Sequence, residues 1–114
     1  MTDLFTPKAI AVAADNAEQF TPEFLAYLPE NLHVYHAFEH EALQVAARGF
    51  HHYSARTIME VLRHHSALHE VGGQWKIDND ATPYCARLFA LMHPHHKDLF
   101  TFRLAKAAMR ANAI

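Results

Sequence analysis

Cysteine is almost missing from this chain. Cys85 is the only one, so no internal disulfide can form and the fold requires no oxidising compartment. Glycine is scarce as well, with three residues beside five prolines, and charged residues make up only 19% while apolar ones reach 51%. That balance excludes a disordered or linker-like chain and leaves a globular composition. No long hydrophobic run exists: the apolar stretch Ala9 to Ala14 is far too short to cross a bilayer, and Met1 to Pro7 lacks the basic start of a signal peptide. Secretion and membrane insertion are therefore not expected, and the cytoplasm is the expected location. Basic residues are nearly missing from the first 47 positions, where Lys8 stands against Asp3, Asp15, Glu18, Glu23, Glu30, Glu39 and Glu41. From Arg48 onward nine Lys and Arg face five acids.

A formal net charge of −2 thus conceals a dipolar molecule, acidic in its first part and basic in its second. Such asymmetry suits a polyanionic partner for the basic part or a basic partner for the acidic part. Histidine is the opposite of scarce, with eleven in 114 residues. At this length one domain with a single core is expected, covering 1–114, with 1–20 as a loosely docked N-terminal arm.

Helix signals dominate. Pro7 to Glu18 is Ala-rich and weakly periodic. Thr21-Pro22-Glu23 combines an N-cap, a proline at the first helical position and an acid in the first turn, opening a short helix that stops at Pro29, with Asn31 available to cap the next. From Leu32 to Arg48, with Gly49 as terminator, Leu32, Tyr35, Phe38, Ala42, Val45 and Ala46 form an apolar stripe opposite His33, His36, His40 and Gln44. Ser54 caps a helix to about His69, buried through Ala55, Ile58, Met59 and Leu62. Gln74 to Asp78 alternates polar and apolar residues as one short strand would. Thr82-Pro83 opens a further helix that Pro94 closes, and from about Lys97 a last helix is expected. The fold class is mainly α: a compact helical domain with one short strand and a helix-turn-helix or divergent winged-helix-like C-terminal part.

The last helix would stack Arg103, Lys106 and Arg110 opposite Phe100, Leu104, Ala107 and Ala111. Helix, tight turn, cationic helix is the order a helix-turn-helix needs, since the second helix presents its polar tips to a groove. Arg56, Arg63, Arg87 and Lys76 add cations in the same part of the chain. The competing reading of any such ridge is a solvated charged face.

His33, His36 and His40 recur at spacings of three and four, geometry that can bring imidazoles to one metal ion. A structural zinc site pairs histidines with cysteines, however, and His64-His65-Ser66-Ala67-Leu68-His69 lacks the glutamate of a zinc peptidase. No metal or other cofactor is expected. His65 and His69 fall beside Ile58 and Leu62 on the wheel, so both are expected to be half-buried with Glu39 as the carboxylate partner. Cys85 reads as a small buried hydrophobe and Ser54 as a cap, leaving no catalytic signature and no expectation of an enzyme.

The run Tyr53 to Arg63, followed by Trp75 to Asp80, Ala86 to Phe89, Pro94 and Phe100 to Arg103, resembles a family of small, largely uncharacterised proteins encoded by phages and prophages. The resemblance implies a compact DNA-binding or regulatory protein and brings no catalytic residue with it. The histidine enrichment at His64, His65, His95 and His96 departs from the family pattern. The first expectation is a phage-type regulator that binds double-stranded DNA, with a homodimer reading two half-sites. The alternative is a protein-binding module, an inhibitor of a host defence or regulatory complex, acting through Glu18, Glu23, Glu30 and Glu41.

Overall fold

The computed structural model describes residues 6–69, 75, 77 and 79–100. Five α-helices run in chain order: α1 Lys8–Asp15, α2 Pro22–Glu30, α3 Leu32–Ala47, α4 Ala55–His69 and α5 Thr82–Met92, with short 3₁₀ turns at Ala17–Gln19, Asn79–Ala81 and Pro94–His96. Among the described residues there is no strand. Trp75 and Ile77 have irregular backbone, and the rest of the expected strand, Gln74, Lys76 and Asp78, lies outside the described residues.

The Ala-rich first segment is docked, not loose. Ala9 and Ala13, one helical turn apart, are each 1% exposed, and α1 packs on α5 and α2. Small side chains let its backbone approach its neighbours closely, so a weak periodicity still yields a fully buried seam. Thr21 caps α2 as its sequence demands, its Oγ1 accepting from the Phe24 N–H at 3.2 Å. The helix continues past Pro29 to Glu30, because a proline near the end of a short helix removes only one backbone bond. Asn31 turns its side chain backward, donating from Nδ2 to the Tyr27 carbonyl at 3.0 Å. It closes α2 and makes no side-chain cap for α3.

In α3, Tyr35, Phe38 and Ala42 are fully buried, joined by Val34, while Leu32, Val45 and Ala46 are half-buried. Gly49 ends the helix at φ +93°. Its N–H donates to the Ala46 carbonyl at 3.0 Å and that of Phe50 to the Val45 carbonyl at 3.4 Å, the paired closure that a left-handed residue after a helix permits. Ser54 caps α4 by accepting from the Thr57 N–H at 3.2 Å. Ile58, Met59 and Leu62 are buried as their spacing predicts.

Among the described side chains of α4 the fourth buried one is Ser66, 2% exposed, and not His65, which is exposed; the side chain of His69 lies outside the described residues. Ser66 Oγ donates to the Arg63 carbonyl at 3.0 Å and accepts from the Trp75 N–H at 3.0 Å, so a small hydroxyl anchors the returning chain where an imidazole was expected.

Helix α5 is the centre of the fold. It touches α1, α3 and α4 and buries Thr82, Cys85, Ala86, Leu88 and Phe89. Full burial of an aromatic or leucine side chain is worth about 1.5–3 kcal/mol, and Tyr35 and Phe38 of α3 and Leu88 and Phe89 of α5 all reach it. The helix expected from Lys97 does not start there. Residues 97–100 form turns and bends, Leu99 and Phe100 go into the core, and the Leu99 carbonyl is taken by the Tyr53 N–H at 2.8 Å across the fold. The remainder of that helix, and with it the second half of the helix-turn-helix order, lies outside the described residues.

Candidate functional site

Two helix stops create a cleft. Gly49 releases the chain from α3 into Phe50–Tyr53, and Pro94 turns it out of α5 into residues 94–100. The Tyr53–Leu99 hydrogen bond fastens these loops side by side. Aromatic packing builds the underlying support: Phe100 lies 5.3 Å from Phe38 and 5.6 Å from Phe89, centroid to centroid, and Tyr53 meets Phe50 edge-on at 5.5 Å. The resulting cleft encloses ≈ 850 Å³. His51, His52, His95, His96 and Lys97 line it, with Asp98 as the one acid on the wall. His96 is half-buried, its ring stacked 6.4 Å from Phe89, while the other four basic groups are exposed.

The wall thus gathers four imidazoles and one ammonium group against a single carboxylate. Sequence reasoning did not bring His51 and His52 together with residues 95–97. Residues 51–52 and 95–97 are far apart along the chain, and the only local clue is the pair of His-His doublets in loops.

The nucleic-acid residues anticipated from sequence are distributed differently. Arg56 is well exposed, and both it and Arg63 flank Glu60 Oε1 at 3.8 Å, long contacts worth little in water. Arg63 also donates from Nη2 to the Ile77 carbonyl at 3.1 Å. Arg87 donates from Nη1 to the Gln19 carbonyl at 3.0 Å, with Cζ 5.8 Å from the Tyr84 ring centroid. Arg63 and Arg87 thus fasten the fold's own backbone, on different elements, and do not form one ridge. Lys76, Arg103, Lys106 and Arg110 lie outside the described residues.

Of the four acids of the alternative reading, Glu18, Glu23 and Glu30 are exposed and Glu41 is half-buried. His33, His36 and His40 are exposed with separate neighbours: His33 meets Trp75 edge-on at 5.1 Å, His36 lies 6.0 Å from the Tyr35 ring, and His40 Nε2 is 2.9 Å from Gln44 Nε2. Among the described residues no three His, Cys, Asp or Glu side chains are placed to hold a metal ion. No described helix is long and apolar enough to cross a membrane.

Glu39 does bind a histidine, but it is His93. Glu39 Oε2 sits 2.8 Å from His93 Nε2, bridging α3 to the end of α5, and the Tyr35 hydroxyl lies 3.5 Å from the same oxygen and 3.4 Å from Met92 Sδ. Burial, first, and the Glu39 charge, second, push the Tyr35 phenol far above its ordinary range. Cys85 is fully buried, and desolvation alone pushes its thiol up to about 12, which suits the core and not a nucleophile.

No protein-family model, curated protein or solved structure matches the chain.

Proposed function

We propose that this protein binds nucleic acid, as a phage-type DNA-binding regulator, using the histidine and lysine cleft together with the basic segment that follows it. The observation that carries the reading is the convergence of His51, His52, His95, His96 and Lys97 on one cleft with a single acid. Phe100, at the edge of that cleft, leads directly into the stretch bearing Arg103, Lys106 and Arg110. Cations from both would engage phosphates and supply affinity that falls with salt, while the polar tips of the last segment would read bases. Arg56 would add an outlying phosphate contact, whereas Arg63 and Arg87 would brace the fold.

The test is fluorescence anisotropy on a labelled duplex, titrated across salt. Each cation that meets a phosphate contributes about 0.9 to the slope of log affinity against log salt, so Lys97→Gln lowers the slope by about that amount and R103Q/K106Q by about twice it. Affinity and slope unchanged in both the Lys97 and the Arg103/Lys106 variants would reject the reading.

A further inference from the structure

A second concavity lies between α2 and α5. The first turn of α2 and the entry to α5 enclose ≈ 440 Å³, lined by Thr21, Glu23, Phe24, Tyr27, Asp80 and Tyr84. Its volume is within the ~300–1,000 Å³ of small-ligand sites. The walls are aromatic: Phe24 lies 5.6 Å from Tyr84 and 6.3 Å from Tyr27, and stacks on Phe20 at 5.3 Å. Both charged residues on the lining are carboxylates, Glu23 and Asp80, both exposed. Tyr84 already accepts one cation, since the Arg87 guanidinium lies against its ring. Thr21 Oγ1 is engaged in capping, and the groove presents mainly π-faces and carboxylates.

We infer that this groove takes the cationic side chain of an arginine or lysine from a basic peptide segment of a partner protein. Rings with negative faces and paired acids attract a cation together, and the attraction grows where the side chain is partly removed from water. An anion is repelled by the same wall, so the nucleic-acid reading neither needs this groove nor accounts for it. The geometry narrows the acidic surface from the four glutamates singled out by sequence to Glu23, and adds Asp80 and the tyrosines.

The experiment uses the full chain and a fluorescein-labelled Gly-Ser peptide carrying a central Arg-Lys-Arg, with the same peptide bearing glutamines as the blank. The wild type retains the basic peptide and not the blank, and E23Q/D80N weakens it about fivefold, as loss of two rim charges predicts. The charge-matched control E18Q/E30Q leaves affinity within a factor of about two. Amide shifts on titrating the wild type centre on Thr21, Tyr27 and Tyr84, a readout that stands even where a variant folds poorly. Equal weakening by the control, shifts centred elsewhere, or no retention of the basic peptide would overturn the assignment.

Discussion

The bridge between Glu39 and His93 should couple α3 to α5 measurably, and a double-mutant cycle of Glu39→Gln, His93→Gln and the pair isolates it. With His93 protonated, two unit charges about 4 Å apart at an effective dielectric of about 20 would attract by roughly 4 kcal/mol. That gross figure is an upper limit. The His93 and Glu39 side chains retain 27% and 19% of their exposure, so solvent screens the pair while partial burial imposes a desolvation cost. A hydrogen bond to a charged group nets about 1.5–3 kcal/mol and an exposed pair about 0.2–1 kcal/mol. Standing between these, the coupling energy should be about 1–2 kcal/mol. The 2.8 Å contact favours the upper part of that range. Tyr35 lends little, because its hydroxyl reaches the same oxygen only at 3.5 Å; Tyr35→Phe should cost less than about 1 kcal/mol. Urea unfolding followed by circular dichroism gives all three free energies on one slope. A coupling within about 0.3 kcal/mol of zero, the additivity error for independent sites, would refute the view that this bridge ties the two helices.

Arg87→Gln should destabilise the fold by about 1.5–3 kcal/mol, through loss of the charged hydrogen bond to the Gln19 carbonyl and of the contact with Tyr84. Its duplex affinity at low temperature should match the wild type; a stable variant with weakened DNA binding would return Arg87 to the interface. Cys85 should resist a thiol reagent at mildly alkaline pH unless the chain is unfolded, and labelling at the rate of a free thiol would contradict its burial. Alkaline stability follows the same residue. The folded thiol holds its proton to about 12 against 9.0 in the ordinary case, so the unfolded state releases it first. The associated stability is intact below pH 9.0, declines above it and is lost by about pH 12. Tyr35, also raised, acts in the same direction above pH 10.0, and a denaturation midpoint that rises over this window would contradict both.

Much of the helical framework is legible one turn at a time. Thr21 and Ser54 each cap the helix they precede, and Gly49 takes the left-handed conformation that ends α3. Tyr35, Phe38, Ala42, Ile58, Met59 and Leu62 are buried where their spacing places them. The misreadings share a cause. Asn31 could serve either of the helices it joins, and the wheel could not tell which side of the α4 seam His65 would fall on. Only the position of Trp75, whose N–H needs the Ser66 hydroxyl, decided that the small residue goes inside.

The sequence by itself determined most of the described helices, the caps at Thr21 and Ser54, most of the core and the division of charge along the chain. Each of those depends on residues within a turn or so of one another, where spacing and backbone chemistry act directly. Tertiary structure alone decided that Glu39 meets His93, that Arg63 and Arg87 bind the fold's own carbonyls, and which histidines share a wall. It also set Glu23 beside Asp80 on an aromatic groove. Those partners are brought together only when helices pack and loops are pinned, and neither local propensity nor periodicity carries information about that distance.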